Sequence, residues 1–103
     1  MKTNFKSTGI VLGNLWGGGK CAYPSESLEA DIKEELIDKA KEMLSDGSLD
    51  SGMGYESLIG ARLDITTVTT IVMYGKEFIN EKQDTVLIGE LSEEQEDFLL
   101  FNY

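Results

Sequence analysis

The spacing of apolar positions shifts along this chain, and each shift marks an element. Phe5 to Trp16 is rich in β-compatible residues, and after Gly17, Gly18 and Gly19 the chain resumes with Lys20, Cys21, Ala22 and Tyr23. This pattern predicts a β-hairpin. Pro24 has no N–H to give to a ladder, so it places the second strand at a sheet edge, at a bulge or at the strand's end. From there Leu28, Ile32, Leu36, Ile37, Ala40, Met43 and Leu44 recur at three- and four-residue intervals, the period of one helix face. A helix over 32–46 follows, with Asp31 and Glu34 as a capping box and Gly47 at the C′ position.

Residues 45–54 form a loop by composition, with glycines at 47, 52 and 54. Residues 55–74 are again β-rich, with Ile59, Ala61, Leu63, Ile65, Thr67, Thr69, Ile71 and Met73 on one face. Nearly twenty residues exceed an ordinary strand, so a bend or break is expected among Thr66 to Thr70. Residues 74–77 supply a tight turn from which Phe78 and Ile79 pair back. A polar link over Asn80 to Asp84 then leads to a further strand, Thr85 to Glu90. Ser92 with Gln95 three residues on, and Glu93 and Glu94 in the first turn, start a second helix. Phe98, Leu99, Phe101 and Tyr103 form its apolar, docked end. The resulting order is ββαβββα. This is an α+β fold with a mostly antiparallel sheet of about five strands, two helices packed on one face, and a single domain over 1–103.

Composition narrows the chemistry. Histidine is absent and Cys21 is the one cysteine, which excludes a His-based triad, a zinc finger and an intramolecular disulfide. Nine basic against nineteen acidic residues give a formal charge of −10, which opposes direct contact with nucleic acid or anionic membranes. No stretch approaches the roughly eighteen apolar residues of a membrane span, and the N-terminal residues lack an apolar leader core. A soluble cytoplasmic protein is expected. The charge is also uneven: Lys2, Lys6 and Lys20 precede the first acid, Glu26, and all nineteen acids lie beyond them.

Four features invite a chemical reading. The run from Asn14 to Cys21 ends a glycine series in Lys20, as a P-loop does. However, Asn14 stands at the first required glycine, Cys21 at the required Ser/Thr, and Pro24 where a helix should run. It reads as a hairpin turn. Asp46, Asp50 and Glu56 flank the glycine loop and form the best carboxylate set for a Mg²⁺-dependent nuclease, but their spacing fits no EF-hand and no nuclease-type lysine accompanies them. Trp16, Tyr23, Tyr55 and Tyr74 are of types favoured at interface hot spots, or else cap the edge of a small core. Cys21 has no histidine or other visible base to activate it and reads as a small apolar strand residue.

The acidic residues fall in two blocks. Glu34, Glu35, Asp38 and Glu42 project from the first helix, where Glu34/Asp38 and Asp38/Glu42 are like-charged i,i+4 pairs and Glu35/Lys39 compensates. Glu90, Glu93, Glu94, Glu96 and Asp97 form a denser block with no lysine. Such carboxylates either keep the protein soluble or imitate a phosphate row and occupy a basic groove.

Residues 13–19 (GNLWGGG), 46–60 (DGSLDSGMGYESLIG) and 88–95 (IGELSEEQ) resemble small accessory proteins of Firmicute conjugative elements, a setting that includes anti-CRISPR inhibitors of type II-A Cas9. The resemblance implies a stoichiometric Cas9 inhibitor, blocking guide-RNA loading or DNA engagement in a bacterial host cell. The expectation is therefore a non-enzymatic binding protein with no catalytic residue, metal or cofactor. Its contacts are expected at the two acidic blocks, with Trp16 and Tyr23 as anchors, and its partner is a protein with a basic nucleic-acid groove. The alternatives are the metal-dependent nuclease acting on guide RNA and a structural accessory protein of conjugation. An edge strand bearing Pro24 and an exposed Trp16 would permit a homodimer.

Overall fold

In the computed structural model, which describes residues 2–50, 52 and 54–101, the chain runs β1 (Lys2–Asn14), β2 (Lys20–Pro24), β3 (Leu28–Ala30), α1 (Lys33–Asp46), β4 (Ser57–Met73), β5 (Lys76–Gly89) and α2 (Glu93–Phe101). Every ladder is antiparallel in one five-stranded sheet of order β2-β1-β4-β5, with β3 beside β2 on the outer edge of β1. The α+β class, the five strands and the two helices are as the pattern predicts, but the order is βββαββα. Leu28 pairs with Ser7 in β3 and lies ahead of the helix. The polar stretch Asn80 to Asp84 is ladder, pairing with Ile65 to Thr69, so the two strands expected after the turn are one.

The expected break among Thr66 to Thr70 does not occur. β4 runs 17 residues and has a strand on both sides up to Thr70, so its backbone groups are satisfied by β1 and β5. Its β-branched threonines suit that extended path. The irregularity lies at Ile59: Leu12 pairs with Gly60 and Gly13 with Leu58, which leaves Ile59 as the extra residue of a bulge.

That extra residue reverses the side-chain phase of β4 before Gly60, so Leu58 joins the cluster under α1 and Ile59 the cluster under α2. Val11, Ala61, Leu63, Ile65 and Ile88 face Leu36 and Ala40 of α1, together with Leu28 and Leu49. Ile59 turns to the other face, where Ile10, Leu12, Ala22, Leu87 and Leu91 meet Leu99 of α2. The helices therefore sit on opposite faces of the sheet, correcting the expectation of one shared face. The base of the sheet is apolar on both sides, and each side needs a cover.

Helix ends show which local signals acted. α2 begins with the expected capping box: Ser92 N–H donates to Gln95 Oε1 at 3.0 Å and Gln95 N–H to Ser92 Oγ at 3.2 Å. α1 does not use Asp31; its N-cap is Ile32, with no side-chain cap, and Asp31 accepts a 3.4 Å bond from Asn4 instead. Glu34 and Glu35 still complement the positive end of α1, and Gly47 closes it at φ 85°. The glycine loop after α1 sends Leu49 into the core, fully buried, and Leu49 N–H donates to Met43 O. Ser51 and Met53 of that loop, and Tyr103 of the expected apolar end, lie outside the described residues.

Gly13 is required by close approach: a Cβ there would lie 2.7 Å from the Tyr55 ring. The ring crosses β1 so that Tyr55 Oη donates to Cys21 O at 2.9 Å and Val11 O at 3.3 Å. Tyr55 is thus a brace between the β1–β2 hairpin and β4.

Away from this base the β4–β5 hairpin runs on without helices over it. β1 accompanies β4 to Thr70, and beyond it Ile71 to Met73 and Lys76 to Phe78 stand as a two-stranded tip. Tyr74 (φ 53°) and Gly75 (φ 75°) make its turn, both with the positive φ of a two-residue hairpin turn. The molecule measures 59 × 25 × 19 Å, with a radius of gyration of 15.6 Å. A compact chain of this length would have about 13 Å, so the tip projects well clear of the core.

Candidate interaction surface

α2 is capped within itself at its start and tied to the sheet near its end. Its start is fixed by the capping box. Near its end Arg62, a buried side chain of β4 and the chain's one arginine, donates from Nη1 to Leu99 O, and its Nη2 reaches Asp64 Oδ2 at 3.1 Å. The guanidinium thereby caps a helix C-terminus that carries no basic residue of its own. Leu99 is fully buried beneath it, whereas Phe98, Leu100 and Phe101 remain exposed, Phe101 by 79%. Among the described residues of this apolar end, Leu99 is the one that is fully buried, and Arg62 holds its carbonyl.

Glu93, Glu94 and Asp97 project into solvent from this helix, Glu96 is half-buried, and Glu90 precedes them, exposed. A cleft of about 430 Å³ lies alongside, between Lys20, Cys21 and Ala22 of β2 and Glu94, Gln95 and Phe98 of α2. Carboxylates, a cleft and exposed aromatic rings therefore adjoin on one face.

Glu34, Glu35, Asp38 and Glu42 are exposed on α1, across the sheet from that block. No single flat partner surface reaches both sets. Among the described residues the ion pairs are Lys33–Asp84 and Arg62–Asp64, and neither uses a carboxylate of either block. Trp16, 72% exposed, rides on the β1–β2 loop, where Gly17, Gly18 and Gly19 all have positive φ and Leu15 N–H donates to Gly19 O. This loop is a hairpin turn followed by a strand, and no helix N-terminus follows it. Tyr23, 44% exposed, pairs with Val11 and so lies on the α1 face. Tyr74, 97% exposed, is at the far tip of the molecule. The aromatic side chains do not form one patch, and Tyr55 is internal.

Asp46, Asp50 and Glu56 do not converge; among the described residues no group of three His, Cys, Asp or Glu side chains is placed to hold a metal ion. Asp46 accepts from Ser48 N–H and Oγ–H, bonds that hold its carboxyl below the usual range. Asp50 Oδ2 accepts from Gly54 N–H at 2.8 Å. Both carboxylates shape the loop. Asp84, on β5, is likewise held below the usual range by its bond to Lys33, then by Thr85 N–H and by the nearby charges.

Pattern reasoning missed Arg62 and Leu49. Arg62 had a signal, a charge set between Ala61 and Leu63 in an apolar stretch. Leu49 had none beyond being the one leucine in a polar loop. No described helix is long and apolar enough to cross a membrane. No protein-family model, no curated protein and no solved structure matches this chain.

Proposed function

We propose that the protein is a non-enzymatic inhibitor that seats an acidic surface in the basic groove of a nucleic-acid-processing host defence enzyme. Resemblance to mobile-element proteins favours CRISPR Cas9 as that enzyme. The observation carrying this reading is the α2 block: Glu90, Glu93, Glu94, Glu96 and Asp97 lie within a segment, 90–101, that has no basic residue. They stand on or beside a helix capped at its start and tied to β4 near its end. Carboxylates held in such an array imitate a row of phosphates, and a channel that holds a guide–target heteroduplex is positively charged. Attraction at long range speeds the encounter and weakens with salt. Phe98 and Phe101 beside the block supply apolar contacts at the rim.

The test is retention of Cas9 and its guide RNA on the tagged protein at low and high salt, with the RNA run on a gel. Salt-sensitive retention with intact RNA is expected. Replacing Glu93, Glu94, Glu96 and Asp97 with lysine should abolish it, and a glutamine set guards against fraying from lysines at the positive helix end. Loss of retention on reversing Glu34, Glu35, Asp38 and Glu42 instead would move the contact to the α1 face. Cleaved RNA would replace the inhibitor reading with a nuclease, and no retention would remove Cas9 as the partner.

A further inference from the structure

The two edges of the sheet are treated differently. One is divided between β2, which is short and ends at Pro24, and β3, which has three residues. Both are ordinary protections against strand addition. The other edge is β5: 14 residues, no proline, a ladder to β4 without a register shift, and five charged side chains, Lys76, Glu77, Glu81, Lys82 and Asp84, that restrict what can pair with it. Residues 76–85 of β5 are all exposed, and its apolar members sit out at the tip, Phe78 at 51% and Ile79 at 64%. The second half of the same strand, Val86 to Ile88, belongs to the two core clusters.

We infer that β5 pairs antiparallel with β5 of a second copy of this chain, about a two-fold axis through Gln83, forming a continuous ten-stranded sheet. Among the axes from Ile79 to Asp84, which keep the longest overlap of the exposed stretch, the residue pattern selects this register. Antiparallel partners across an edge share a sheet face, so each register is fixed by the residue on the axis. An axis at Ile79 sets Lys76 against Lys82 and Glu77 against Glu81. Axes at Glu81, Lys82 or Asp84 set that charge against itself. An axis at Asn80 avoids like charges but places Phe78 against Lys82 and Ile79 against Glu81. With Gln83 on the axis, Lys82 faces Asp84 twice over, each Asp84 also holding Lys33 of its own chain. Phe78 then meets Ile88 and Ile79 meets Leu87, so each apolar tip residue extends one of the partner's core clusters. An open groove of about 790 Å³, with Leu44, Gly89 and Glu90 in its wall, opens where Phe78 arrives. The projecting tip is thereby accounted for: it is the arm that clasps the partner. Both copies of α1 fall on one face of the joined sheet and both copies of α2 on the other. This inference stands independently of the inhibitor reading.

Sedimentation velocity on the full chain at micromolar concentration tests it, with a two-chain species expected; a monomer throughout overturns it. Q83C in a C21S background should oxidise rapidly to a cross-linked dimer, because residues facing across the axis bring their Cβ atoms to about 4.5–5.5 Å. Faster cross-linking of N80C would overturn the register. F78E with I79E, both exposed in the monomer, should keep the far-UV circular dichroism and weaken association by about 100-fold or more. K82E and D84K, the latter combined with K33M so that no lysine opposes it within its own chain, should each weaken association alone and form a heterodimer when mixed. Failure of the mixture to associate better than either variant would overturn the pairing.

Discussion

The base and the tip of the β4–β5 hairpin are made from the same two strands and are stabilised differently. At the base, Gly60 to Leu63 of β4 are buried in sequence, because one face packs on α1 and the other on α2. Toward the tip, Thr66 to Thr70 are only half-buried, and on β5 every residue from Lys76 to Thr85 is exposed. The tip stays extended through backbone pairing and β-branched side chains, without apolar burial. Strand length therefore reports pairing, and burial reports which part of the strand has a cover.

The contrast can be broken most strongly at the base. Leu63→Ala, at a fully buried site, should cost about 3 kcal/mol in urea unfolding, whereas Val72→Ala, at a site 64% exposed, should cost under about 0.5 kcal/mol. Similar losses at the two sites would mean that the tip is packed as tightly as the core. Arg62→Ala tests the second face of the base. It removes the cap from Leu99 O and should cost about 2 kcal/mol, with faster amide exchange confined first to α2. Protection of α2 unchanged in that variant would show that Leu99 alone holds the helix. At the tip the expected effect is a gain. Tyr74→Asn places a residue that tolerates positive φ beside Gly75 and should stabilise by about 0.5 kcal/mol in thermal unfolding.

The smallest effect belongs to the border between the two regions, where Lys33 of α1 pairs with Asp84 of β5. The carboxyl of Asp84 is depressed in the fold, so the pair contributes fully above the ordinary carboxylate range. That contribution is lost as pH falls below this range and through the depressed value. Asp84 is exposed and Lys33 half-buried at the surface, which keeps the contribution small. Lys33→Met should therefore lower stability slightly at neutral pH and converge with the parent at low pH, which flattens the acid limb between them. An identical acid limb in the variant would assign the acid sensitivity to other carboxylates.

Particular residues show how far the sequence alone could be read. The 3.6-residue period located α1, Ser92 and Gln95 started α2, and Gly47 ended α1, because each signal acts within one or two turns of chain. Asp31 looked like an equally good cap, yet Ile32 took the position after Leu28, Glu29 and Ala30 had been drawn into pairing with β1. The acidic blocks were legible as charge runs, and their separation across the sheet was not. The open edge at β5 was hidden because the polar stretch Asn80 to Asp84 resembles a link until its partners on β4 are known.

The sequence by itself determined the α+β class, the helix positions, the glycine hairpin and the absence of a histidine- or disulfide-based chemistry, since these depend on residue type and local spacing. Tertiary structure alone decided which face each helix covers, where the charges gather and which strand is left unpaired. The physical reason is that faces, neighbours and open edges are set by pairing between segments distant in sequence, of which the bulge at Ile59 is one instance. One extra residue in a period-two strand exchanges its faces, and only the pairing of Leu12 with Gly60 and Gly13 with Leu58 reveals it.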